Sequence, residues 1–245
     1  MCQTGHIRRR SRQSTLRLFS VLVLVPLLAV AAAPPESSDP AGEEILGKYL
    51  EAKQTQQAAM RGVQMEVDID ANLPKQEKHG KLHALRSISR LGKITYKALG
   101  FSGDNTIKNE VIARYLAEET KPHDSAITPA NYKFKYKGLS DHEGLRVHVF
   151  EVTPRKKAEG LFRGQLWLDA STAMPVREAG HPVKTSLLVK KMEFVQEYEI
   201  RDGIAFPKHF QGTADLRIVG RAELSIDYSN FSRQESADEA NDLIR

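Results

Sequence analysis

The feature that most constrains this chain is a period of two. Val63, Met65, Val67 and Ile69 alternate with Gln64, Glu66 and Asp68. In an extended strand that rhythm puts apolar side chains on one face and polar ones on the other. It returns at Tyr132, Phe134 and Tyr136, which alternate with lysines, and it persists to Phe231. Segments 82–89, 92–99, 146–152, 161–169, 174–179, 187–200, 204–211, 212–219 and 222–231 read as further strands. Asp202-Gly203 is a hairpin turn signal. Consecutive strands joined by short turns pair antiparallel. A sheet of about ten such strands curls or closes rather than lying flat.

Two stretches follow a helical period instead. Asp39 can cap a helix whose first position is Pro40, where a missing N–H costs nothing. Ile45, Leu46, Tyr49 and Leu50 then share one face, and Gly62 is a natural stop, so the spacing predicts a helix over 41–61. Ile107, Val111, Ile112, Tyr115 and Leu116 predict a second helix over 106–119, ended by Lys121-Pro122. Glu118 and Glu119 close it, and the reading leaves both in solvent.

The expected fold is α+β: a strongly curved antiparallel sheet forming an unclosed β-barrel of about ten strands. The N-terminal and central helices cover its open apolar face. A cavity between sheet and helices is then a candidate ligand site. The strand positions Val67, Ile69, Ile94, Leu166, Leu168, Val189 and Phe194 are its candidate lining. The alternative is that these residues meet the helices as a filled core, since interiors pack densely.

The N-terminus addresses where the chain works. Residues 1–17 carry Arg8, Arg9, Arg10, Arg12 and Arg17 and no acidic side chain; an apolar run over 18–33 follows. This reads as a signal peptide with the small-residue cleavage pattern Ala29-Val30-Ala31. The run has 16 residues and contains Pro26, short of the roughly 20 a spanning helix needs. The organisation is therefore a cleaved segment 1–31, a polar linker 32–40, one domain 41–231 and a polar tail 232–245. Export implies a soluble periplasmic protein with no integral membrane segment after cleavage.

Cleavage also changes the chemistry. The only cysteine is Cys2, so the remaining chain has no disulfide or thiolate site, and no cysteine for a lipid. The formal net charge of +5 comes from 36 Lys+Arg against 31 Asp+Glu. Losing five arginines balances the two, which removes the basic surface nucleic-acid binding requires.

Catalytic signatures are missing. The sequence holds no GxSxG, HExxH, Walker loop or GxGxxG after a strand. His79 and His83 fall in a turn and a strand, where a spacing of four does not converge two ligands. His142 and His148 read as a turn and a strand face. Asp169, before Ala170-Ser171-Thr172, reads as a turn residue bonding nearby backbone. Trp167 reads as core. No catalytic residue, metal-ligand set or cofactor is expected.

In the second half, GLFRGQLWLDASTAMPVREAG (160–180), VQEYEIRDGIAFPKHF (195–210) and RIVGRAELSIDYSNF (217–231) stand in series. This arrangement resembles the outer-membrane lipoprotein-sorting proteins related to LolA. There a strand with Trp-x-Asp, a small turn and a Pro-hydrophobic-Arg strand precede a Gly-x-x-x-Pro return. The resemblance implies an unclosed barrel with a helical lid over a hydrophobic cavity that holds acyl chains. Each buried methylene is worth about 0.8 kcal/mol, so such a cavity retains lipid without specific chemistry. The expected function is a non-enzymatic periplasmic carrier or binder of a lipid, a lipoprotein acyl chain or another apolar ligand. The alternative is a protein-interaction or sensor module of the cell envelope on the same fold.

Overall fold

The computed structural model describes residues 39–121 and 125–233. The expected signal peptide, most of the expected linker and most of the expected polar tail lie outside the described residues. The first helix, α1 (Pro40–Ala59), begins as its sequence dictates: the Asp39 carboxylate accepts the Ala41 N–H at 3.1 Å. Gly62, in the left-handed region at φ 76°, turns the chain out of it. β1 (Val63–Leu73) follows, with Val63, Met65, Val67, Ile69, Ala71 and Leu73 all buried. Then come β2 (Lys78–Ile88) and β3 (Ile94–Gly103).

The central helix has two parts. Ile107–Ile112 is a π-helical turn that runs into α2 (Ala113–Glu119). The wider turn puts Ile107 and Ile112 against the sheet together, both at most 2% exposed. The remaining strands are β4 (Tyr132–His142), β5 (Leu145–Pro154), β6 (Phe162–Asp169) and β7 (Pro175–Pro182). β8 (Val189–Arg201), β9 (Ile204–Leu216) and β10 (Gly220–Arg233) complete the series.

All ten strands form one sheet in the order β3-β2-β1-β10-β9-β8-β7-β6-β5-β4. Every neighbouring pair is antiparallel. β3 and β4 are the two edges, so the barrel is unclosed. The one non-sequential pairing joins β1 to β10, with Asp68 opposite Asp227 and Ile69 opposite Ile226. Two expectations are corrected. Segments 204–211 and 212–219 are one strand to Leu216, because Gly212 keeps ladder partners on both sides, Leu224 and Phe194. Ser232 and Arg233 belong to β10, paired with Gln64 and Val63, and not to a free tail.

Both helices lie on one face of the sheet, its inner face. Ile107 and Ile112 pack with Met65, Val67, Ile69, Leu82, Ala84 and Ile226. Tyr49 of α1 packs with Tyr132, Phe150, Phe162, Leu166 and Leu168, and Ile45, Leu46 and Leu50 border the same cluster. Phe194 touches both clusters. A Cβ on Gly42 would come within 2.7 Å of Tyr136 Cβ, so glycine is what lets α1 sit this close to β4. A small third cluster, Val147, Val149 and Val176 with Trp167 and Ile200, lies on the outer face. Trp167 is thus half-buried there, apart from the main core, because it alternates with the inward Leu166 and Leu168.

Candidate functional site

Between the two helices a solvent-open cavity of about 360 Å³ remains. Gln56 and Met60 of α1, Arg86 and Ile88 of β2, and Tyr115 and Glu119 of the central helix form one side. Glu178 of β7, Phe194 and Tyr198 of β8, Phe210 of β9 and Tyr228 of β10 form the other. The volume falls in the range of small-molecule sites, roughly 300–1,000 Å³.

The polar groups in this wall are organised. Arg86 donates from Nη2 to Glu119 Oε1 at 2.9 Å and from Nε to the Tyr96 hydroxyl at 3.0 Å. Tyr96 donates its own O–H to the other oxygen of Glu119. The Arg86 and Glu119 side chains are 11% and 21% exposed. Burial works against the Arg86 charge, but the Glu119 carboxylate together with the Tyr96 and Tyr228 hydroxyls more than restores it, and the guanidinium stays protonated. The hydroxyls of Tyr115 and Tyr228 lie next to each other beside this pair. At the α1 end Gln56 clamps the Ala205 backbone, taking its N–H and giving its own to its C=O.

Glu178 is the second acid of the cavity wall. Its carboxylate lies beside the Tyr198 hydroxyl and near Lys53, which donates to Tyr49. Burial pushes its pKa up from the ordinary value of 4.5, against the opposing pull of Lys53 and Tyr198. A carboxyl whose folded pKa is raised stabilises the fold fully below its unfolded pKa and loses that contribution as pH rises through the folded value. Glu178→Gln is therefore expected to match the parent near pH 4 and to become the more stable of the two as pH rises to 8. Paired thermal melts across that range check it; a difference independent of pH would contradict it.

The residues named as candidate lining are placed as follows. Phe194 lines the cavity. Val67 and Ile69 are buried beneath Ile107 and Ile112; Leu166 and Leu168 are buried beneath Tyr49. Ile94 and Val189 are half-buried at the first positions of β3 and β8. The helical side chains thus fill much of the inner face, and the cavity occupies the gap they leave. Arg86, Glu178, Tyr198 and Glu119 were not anticipated. The signal exists: Arg86 follows Leu82 and Ala84 at the inward period of two, and Tyr198 follows Phe194 and Gln196. Glu119 is corrected from solvent to the cavity wall, since it lies seven residues beyond Ile112 on the same helical face; its neighbour Glu118 pairs outward with Lys121 at 2.5 Å.

Two other features have local explanations. Asp169 accepts four hydrogen bonds, from the N–H and O–H of Ser171 and of Thr172. Burial would raise its pKa, and those donors instead hold it below the usual carboxylate range. It is the turn residue its sequence context predicts. A depression of about 410 Å³ lies over β1, β2 and β3. Its charges are already paired, Lys81 with Asp70 at 2.6 Å and His83 with Asp68 at 2.9 Å.

No protein-family model and no curated protein matches the chain. Among solved structures it is similar to a DUF1329 family protein from Desulfovibrio piger, at 14% identity and TM-score 0.47, covering 81% of this chain and 95% of that one. It is also similar to a LolA superfamily protein from Nitrosomonas europaea, at 12% identity and TM-score 0.41, covering 80% and 95%. A third similar structure is an outer membrane lipoprotein-sorting protein domain from Vibrio parahaemolyticus, at 14% identity and TM-score 0.44, covering 82% and 98%. Identities and TM-scores this low say nothing of ligand or activity. No helix among the described residues is long and apolar enough to cross a membrane.

Proposed function

We propose that this chain is an exported cell-envelope protein that binds one small apolar or amphipathic ligand, of lipid type, between its helices and its sheet, without catalysing a reaction on it. The observation that carries the proposal is the cavity itself. It is bounded by Met60, Ile88, Phe194, Pro207 and Phe210, which offer an apolar body. The polar groups along its wall are largely bonded to one another, so an apolar ligand need not leave them unpaired. Val67, Ile69, Leu166 and Leu168 form the floor on which the helices sit, and Phe194 is the aromatic contact with the ligand. Removal of residues 1–31 in the periplasm, and a working domain over 41–231, belong to the same proposal.

One observation favours a second reading. Tyr49, Ile107 and Ile112 already occupy most of the inner face, as they would in an interaction module that needs no ligand. Native mass spectrometry of the protein recovered from the envelope without detergent separates the two. A bound mass that extracts into organic solvent supports the binder and names its cargo class. An unliganded mass, with no uptake of an added fluorescent fatty acid or fatty alcohol, sinks it.

A further inference from the structure

The outer face carries a ligand set that the cavity does not use. β4 ends at His142, and Glu143-Gly144, at φ 49° and 83°, turns the chain into β5. This hairpin tip reaches over the sheet. The His142 ring stands edge-on to Trp167, with centroids 4.7 Å apart and planes at 85°. Trp167 is opposite Arg177, and Arg177 is opposite Glu197, across β6, β7 and β8. Directly opposite residues share a face, so the three side chains stand in a row beneath the tip. One imidazole nitrogen of His142 and one carboxylate oxygen from each of Glu143 and Glu197 all lie within 4.8 Å of one another.

An ordinary ion pair does not account for this. The natural partner of Glu197 is Arg177, directly across the ladder. Among the described residues no ion pair joins them. The Arg177 guanidinium lies over the Trp167 ring instead, 4.7 Å from its centroid, and its Nε is buried with no acceptor. The Glu197 carboxylate is turned to His142 and Glu143. Two carboxylates held this close repel unless a positive charge stands between them. A set of one imidazole and two carboxylates suits a borderline divalent ion. Zinc takes His nitrogen and Glu oxygen at about 2.0–2.2 Å, which sets tetrahedral ligand atoms about 3.4 Å apart. Reaching that spacing requires the ligand atoms to close by a little over an ångström. Glu143 is exposed on the turn and has the freedom to move that far.

We propose that His142, Glu143 and Glu197 bind a divalent transition-metal ion, with zinc as the best match, that fastens the β4–β5 tip to β8. Trp167 fixes the imidazole from the side, and a fourth coordination position is open to water. The site is independent of any ligand in the cavity.

The chain's single tryptophan is Trp167, so the site has its own reporter. Purified protein is titrated with Co²⁺ while Trp167 emission is followed, and Zn²⁺ is then added in competition. The expected result is saturable quenching at one equivalent, reversed by Zn²⁺. Glu197→Gln should weaken the apparent affinity on the order of 10- to 100-fold, by the scale of lost metal-site interactions. Zn²⁺ should raise the melting temperature of the parent and not of the variant. Quenching that rises linearly without saturating, or an affinity unchanged in Glu197→Gln, would overturn the proposal. Should Glu197→Gln lose its fold, Glu143→Gln on the exposed turn serves the same comparison.

Discussion

Arg86→Ala is expected to lower the free energy of unfolding by about 3–5 kcal/mol, the scale for removing one member of a buried ion pair. The reason is the charge left behind. Glu119, 21% exposed, would keep only the Tyr96 hydroxyl as a hydrogen-bond partner. Removing both charges together is a different experiment. Arg86→Met with Glu119→Leu replaces the pair by apolar groups of similar volume, which is often neutral or stabilising. The double variant should therefore recover most of the single variant's loss. Urea unfolding at constant m-value measures all three proteins. A single-variant loss under 1 kcal/mol, or a double variant no better than the single, would show that the pair is solvated.

The second large effect belongs to the other lobe of the core. Phe150 is 1% exposed and packs with Phe134 and Tyr136 at ring-centroid distances of 6.3 and 5.2 Å. Phe150→Ala should cost about 3–5 kcal/mol, combining lost transfer energy with the cavity that remains. The surrounding side chains come from α1, β4 and β6 and cannot all collapse into the space. Leu187→Ala is the matched control. Leu187 is 89% exposed, and such a surface change is expected to stay within about 0.5 kcal/mol. Equal losses at both positions would mean that the Tyr49–Tyr132–Phe150 cluster does not hold α1 to the sheet.

Local chemistry made much of this fold legible. Asp39 and Pro40 start α1 because a carboxylate can take an orphan N–H and proline lacks one to satisfy. The alternation from Val63 to Leu73 makes a strand because only a two-residue period puts all its apolar side chains on one face. Asp202-Gly203 closes a hairpin, and Asp169 folds its turn onto its own neighbours. These are interactions among residues a few positions apart, so the sequence displays both partners together.

What the sequence could not display is which distant positions meet. The pairing of β1 with β10 joins Val63 to Arg233, and it rescues Ser232 and Arg233 from a tail into a strand. Gly212 looks like a break until both its neighbours in the sheet are known. Arg86 sits at an inward strand position and Glu119 on the apolar face of its helix, but that the two form a buried pair is not visible until the fold brings β2 and α2 together. The same holds on the outer face, where His142 and Glu197 converge through the twist of five strands. Sequence by itself determined the period, the caps, the turns and therefore the class of fold. Tertiary structure decided which inward residues became core, which became cavity wall and which charges found one another, since contact across strands depends on register and curvature that no local interaction sets.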